Sequence, residues 1–158
     1  MATPAGPYYP TNALVVQAWL GQRVAGVVPA QVAGKLPRDP ATWADEGFVV
    51  VTIIGGTPDV DIPVRHPIAQ IDAYAVTLDA TGTISVKPPV GKANRLAELV
   101  RVATDAGTYY SKPVTMPANY LGAIVLGASV VSEPREITDD PSGYARVTLD
   151  LALDWARA

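Results

Sequence analysis

Tyr144-Ala145-Arg146-Val147-Thr148-Leu149-Asp150-Leu151-Ala152-Leu153-Asp154-Trp155 decides the fold. Ala145, Val147, Leu149, Leu151, Leu153 and Trp155 are apolar. Between them stand Arg146, Thr148, Asp150, Ala152 and Asp154, so the alternation lapses once. Period two over this length predicts a strand with one buried face and one wet face. Immediately before it, Asp139-Asp140-Pro141-Ser142-Gly143 reads as a turn, with Pro141 suited to position i+1 and Gly143 to i+3. Before that, residues 121–138 begin with the apolar run Leu-Gly-Ala-Ile-Val-Leu. The C-terminal third is therefore expected to be a long β-hairpin with arms over 121–138 and 144–155.

Working back along the chain, Leu96, Leu99, Val100 and Ala103 recur at helical spacing. They predict a helix over about 92–105, with Gly107 as its C-terminal stop. Residues 68–78 alternate again. Ala69, Ile71, Ala73 and Ala75 make a small apolar face suited to a helix lying close on the sheet. Gln70, Asp72 and Tyr74 point the other way. Gly47-Phe-Val-Val-Val-Thr-Ile-Ile54 is β-branched and almost wholly apolar, which fits a buried strand that ends in a turn at Gly55-Gly56. Residues 22–46 read as irregular, with one short strand around 30–36. Thr11 is a fitting N-cap for a first helix reaching Gly21, with Leu14, Val15, Ala18 and Trp19 as its stripe. Residues 1–10 carry three prolines and read as an extended arm, with Tyr8 and Tyr9 as docking side chains.

The order is helix, strands, helix, hairpin. The fold class is α+β: an antiparallel sheet of mixed-length strands with two helices packed on one face and a long C-terminal β-hairpin. An arm over 1–10 precedes a single domain over 11–158. For a chain of 158 residues, size scaling gives about 7,600 Å² of folded surface against about 24,000 Å² unfolded, enough for a real core.

Composition narrows the function. The net charge of −3 disfavours a nucleic-acid coat or a basic membrane-surface module. The absence of cysteine excludes disulfides, thiolate zinc sites and cysteine nucleophiles. No apolar run reaches the length of a membrane span, and the first residues lack a secretory pattern, so the expected compartment is cytoplasmic. His66 is the single histidine, and no serine sits in a Gly-x-Ser-x-Gly elbow. Asp59, Asp61 and His66 could ligate a hard cation, but Pro58, Pro63 and Pro67 make loop polarity the better reading. Val90-Gly91-Lys92-Ala93 lacks the earlier glycine and the hydroxyl of a phosphate loop. Asp72, Asp150 and Asp154 read as a wet strand face rather than an acid–base set. No catalytic residue, cofactor or metal is expected.

The ordered landmarks resemble the tail terminators (tail-completion proteins) of long-tailed bacteriophages. They are Ala13–Leu20, Gly34-Lys35-Leu36-Pro37, Phe48–Gly56, Ala69–Ala75, Ala93–Val100, Glu133-Pro134-Arg135 and Asp140–Arg146 followed by an alternating strand. The chain departs from the family at Ile53-Ile54, where an arginine often precedes the paired glycines, and in the added residues 76–92. The resemblance implies a structural virion protein of the head–tail junction, made in the host cytoplasm. It implies a homo-hexameric ring that caps the tail tube, ends polymerisation of the major tail tube protein, joins the head connector and lets DNA pass through its lumen without specific binding. Tyr8, Tyr9, Asp139, Asp140 and Ser142 are the expected inter-subunit or partner contacts. A head-completion or connector ring is the alternative from the same setting. A small ligand-binding module using the sheet face near Asp72 and Tyr74 is the alternative from another class.

Overall fold

The computed structural model describes residues 6–105 and 111–158. Its elements are α1 (Asn12–Arg23), β1 (Val32–Ala33), β2 (Phe48–Pro58), β3 (Val64–Ala75), α2 (Val90–Asp105), β4 (Lys112–Val114), β5 (Ala123–Ile137) and β6 (Ala145–Arg157), with short 3₁₀ turns at Pro29–Gln31 and Pro40–Thr42. The six strands form one sheet in the order β1-β2-β3-β6-β5-β4. The class is α+β, as the alternation of β6 and the two helical stripes predict.

The sheet is mixed, however, because β1 runs parallel to β2, with Val32 opposite Val49 and Ala33 opposite Val50. Residues 34–47 between them are long enough to carry the chain back to the same end, which a parallel pair requires. Every other pairing is antiparallel. The hairpin β5–β6 forms as expected, and β6 takes the middle of the sheet beside β3.

The core is built from one face of this sheet. Ala69, Ile71, Ala73 and Ala75 of β3 lie opposite Leu151, Leu149, Val147 and Ala145 of β6, and all are buried. The small β3 side chains leave room for the helices that cover this face. Val15, Val16, Trp19 and Leu20 of α1 join Ala93, Leu96, Ala97 and Val100 of α2 in the same apolar cluster. Burying each large aliphatic side chain there is worth about 1.5–3 kcal/mol. A second, smaller cluster of Trp43, Phe48 and Val76 covers one end of the other face, with Tyr74 and Tyr144 packed against it.

Four boundaries differ from expectation. Helix α1 starts at the Thr11 cap, whose Oγ1 accepts from the Leu14 amide at 3.2 Å. It passes through Gly21 and ends at Arg23, because Gly21 is where the chain at Pro29 crosses the helix; a Cβ there would stand 2.8 Å from Pro29 Cα. Its buried stripe is accordingly rotated to include Val16 and Leu20, while Leu14 and Ala18 are half-buried. Strand β2 does not turn at Gly55-Gly56 but bulges between Ile53 and Gly55 and continues to Pro58. Strand β3 begins at Val64 and runs through Pro67, so His66 lies on a strand and not in a loop. Proline is tolerated there because the β3–β6 ladder is interrupted between Arg65 and Ile68, and Gly56 faces Pro67 across β2. Helix α2 starts at Val90; the Gly107 stop falls outside the described residues.

Candidate functional site

The expected contact residues fall at two places that the fold keeps apart, at opposite ends of β6. Tyr8 is in the arm, but the arm is tied to its own domain. The Tyr8 amide donates to the Asn119 carbonyl at 2.6 Å, and the Leu121 amide donates to the Tyr8 carbonyl at 2.8 Å. The Tyr8 and Tyr120 rings lie 5.8 Å apart, and Pro10 is buried. Tyr8 thus has an intrachain role that its position in a proline-rich arm does not reveal. Tyr9 is 69% exposed, with the Arg157 guanidinium 5.9 Å from its ring centre. Arg65 stacks in the same way on Trp155, at 5.5 Å. Nearby, the connection between β2 and β3 exposes Val60 and Ile62. A cavity of about 260 Å³ lies between that connection and the side chains of Tyr9, Trp155 and Arg157.

At the other end is the β5–β6 turn. The Gly143 amide donates to the Asp140 carbonyl at 3.3 Å, which closes the four-residue turn with Pro141 at its second position and Gly143 at φ +76°. Asp139 and Ser142 are exposed, as a partner contact requires. Asp140 is not. Its Oδ1 accepts from the Ser142 amide at 2.9 Å and from the Ser142 hydroxyl, and its Oδ2 lies 3.3 Å from Arg146 Nη1. Only 7% of its side chain is exposed. Burial pushes this carboxyl up, but the Ser142 hydroxyl and amide and the Arg146 guanidinium outweigh it and hold it below the usual carboxylate range. Asp140 therefore anchors the turn from within, with its side chain turned largely inward.

Arg146 continues the network along the sheet face that the helices leave uncovered. Its Nε donates to Asp72 Oδ1 at 2.9 Å, its guanidinium lies 5.8 Å from the Tyr74 ring centre, and Gln70 Nε2 donates to Asp72 Oδ2 at 3.0 Å. This face was expected to be wet, yet Asp72 is 3% and Thr148 2% exposed. Arg146 and the small Trp43 cluster on the same face explain the difference at Asp72. Asp150 lies 3.9 Å from Arg135, and Asp154 lies 2.7 Å from His66. Asp72, Asp150 and Asp154 thus share a face, each turned to its own basic side chain, Arg146, Arg135 and His66 in turn. Thr148 Oγ1 and Asp150 Oδ1 are buried and find no hydrogen-bond partner among the described residues.

The remaining sequence candidates resolve locally. His66 meets carboxylates on both ring nitrogens, Asp154 at Nδ1 and Asp59 at Nε2. Asp61 contributes its amide to Asp59 Oδ1. No cluster of three or more potential metal ligands is present among the described residues. Lys92 donates to the carbonyls of Ala44, at 2.6 Å, and Asp45, so its ammonium ties α2 to the loop before β2. Among the described residues, no helix is long and apolar enough to cross a membrane. No protein-family model and no curated protein matches the sequence.

Proposed function

We propose that the chain is a structural virion protein that closes as a six-membered ring on the end of a phage tail tube. In this reading it stops growth of the tube and offers its other face to the head connector. The observation that carries the reading is the order of the landmarks. Ala13–Leu20 belong to α1, Phe48–Gly56 to β2, Ala69–Ala75 to β3 and Ala93–Val100 to α2, and the Asp140–Gly143 turn leads into β6. In a tail terminator these segments follow one another in the same order.

The molecule's surface supports the reading. A closed ring needs a heterologous interface, in which each copy offers one patch to one neighbour and a different patch to the other. Two such patches are at hand. One carries Tyr9, Val60 and Ile62; the other is the far end of the β5–β6 hairpin, with Val131 56% exposed and the Asp139–Ser142 turn beyond it. Net charge −3 suits a passage through which DNA slides, since phosphate affinity grows with lysine and arginine contacts. No catalytic chemistry is assigned to the chain.

The test is electron microscopy of the purified protein mixed with growing tubes of the cognate major tail protein. A single six-fold ring in contact with the last tube layer, with tube length limited by its addition, is the expected result. The chain repeating along the tube, or leaving tube growth unchanged, overturns the assignment. A ring that binds the head connector but not the tube would favour the connector reading.

A further inference from the structure

His66 sits where β3, β6 and the β2–β3 connection meet. Its Nδ1 lies 2.7 Å from Asp154 Oδ1 on β6, and its Nε2 lies 3.6 Å from Asp59 Oδ2 on the connection. Asp59 uses its other oxygen to shape that connection: Oδ1 accepts from the amides of Asp61 at 2.9 Å and Ile62 at 3.2 Å. One carboxylate thus organises the loop with one oxygen and faces the imidazole with the other. Among the described residues, Asp154 and Asp59 are the charged groups that face the ring. From β2 the residue opposite is Thr57, and from α1 Asn12 lines the same hollow; neither titrates. The neighbouring Arg65 stacks its guanidinium on Trp155.

We propose that His66 is a protonation latch that fastens the β2–β3 connection, residues 59–63, to strand β6. When both ring nitrogens carry protons, the imidazolium bridges Asp154 and Asp59. When the ring is neutral, the remaining proton stays on Nδ1 against Asp154, the closer partner. The lone pair on Nε2 then faces the Asp59 carboxylate, and the loop is released. The connection forms one wall of the cavity bounded by Tyr9, Trp155 and Arg157, and it carries the exposed Val60 and Ile62. Protonation therefore sets the shape of one of the two patches available for contact with another protein.

The direction of the effect follows from linkage. The hydrogen bond to Asp154 pushes His66 above its ordinary value; burial opposes it, and the Asp154 and Asp59 charges add to it. The latch then contributes in full below about pH 6.5, the unfolded value, and is lost as pH rises through the higher folded one. The histidine and Asp154 side chains are 37% and 51% exposed, so salt screens the interaction.

With one histidine in the chain, its ring signals are assigned without ambiguity, and an NMR titration at low salt tests the latch. The expected result is a His66 midpoint above the ordinary value, with the amides of Asp61 and Ile62 shifting at the same midpoint. Asp154→Asn should lower the midpoint. Asp59→Asn keeps an acceptor oxygen for the loop amides but should abolish their titration with His66. A midpoint at the ordinary value that Asp154→Asn leaves unmoved overturns the proposal, and so do Asp61 and Ile62 amides that stay flat through the His66 transition.

Discussion

Gly21 is a glycine inside a helix, where alanine usually stabilises by about 1 kcal/mol. Here the sign should reverse. The chain crosses the helix at Pro29, and an added Cβ would stand 2.8 Å from a backbone carbon that cannot swing away. Gly21→Ala is expected to destabilise by about 1–3 kcal/mol, the cost of overpacking, read as a lower urea midpoint with unchanged slope. Gly56 is more constrained: its φ is +125°, and a Cβ would stand 2.2 Å from the His66 carbonyl oxygen. The glycine pair was visible in the sequence as a break, but its use was not. A turn and a bulge ask for the same residue, and only the partner strand tells them apart. The same holds for His66 and Asp154. Each was readable as a polar residue on an apolar background, yet they meet only because the β3–β6 register, anchored by Arg65 opposite Trp155, places them side by side. The inward turn of the Asp140 side chain is hidden from the sequence for a related reason. Composition marks the residue as a turn former, while Arg146, which turns it inward, is held by Asp72 from a strand 74 residues away.

Among the elements, β6 was the most legible because one of its faces is wholly apolar. Leu151 is fully buried between Ala69 on β3 and Val130 on β5. Leu151→Asp should cost several kcal/mol and leave no folded protein, since a buried charge there has no partner; circular dichroism and proteolysis would show it. A soluble, folded variant would overturn the register. The network on the opposite face gives a gentler test. Asp72→Ala leaves Arg146 without its main partner, but Asp140 and partial solvent access remain, so a loss of about 2 kcal/mol is expected in urea denaturation. Asp140 adds a pH dependence of defined sign. Its folded carboxyl titrates below the ordinary value, so its stabilisation is present above about pH 3.9 and lost as pH falls through the lower folded value. Asp140→Asn should lower stability near neutral pH and converge with the unsubstituted protein in acid, so that the acid limb of the stability curve flattens. Strand β1 was the least legible element, because two residues carry no period, and its parallel direction depends on where residues 34–47 travel.

At the scale of the whole molecule, the chain exposes 8811 Å² against about 7,600 Å² for a compact monomer of this size. Much of β2 beyond Thr52 and of the hairpin beyond Val131 is exposed, surface on which the proposed ring would draw for its contacts. Deleting residues 1–10 should weaken such an assembly. It should also cost the isolated subunit about 1–3 kcal/mol, because the two Tyr8 backbone hydrogen bonds and the buried Pro10 are lost with it. A folded but less stable subunit in thermal melts, with fewer rings in light scattering, is the expected pair of results; unchanged melting would show that the Tyr8 docking contributes nothing.

The place of β6 in the sheet also governs when the protein can fold. It lies between β3 and β5, so the two halves of the sheet have no common ladder until residues 145–157 exist. Its pairing with β3 joins positions roughly 80 residues apart, as with Ile71 and Leu149, and closures of that span are slow. On the ribosome, β2 and β3 would wait as an apolar hairpin with one side unpaired, exposed to association with other nascent chains. Synthesis that stalls before Ala145 should therefore yield insoluble fragments, while the finished chain folds in one late, cooperative step after its sixth strand has left the exit tunnel.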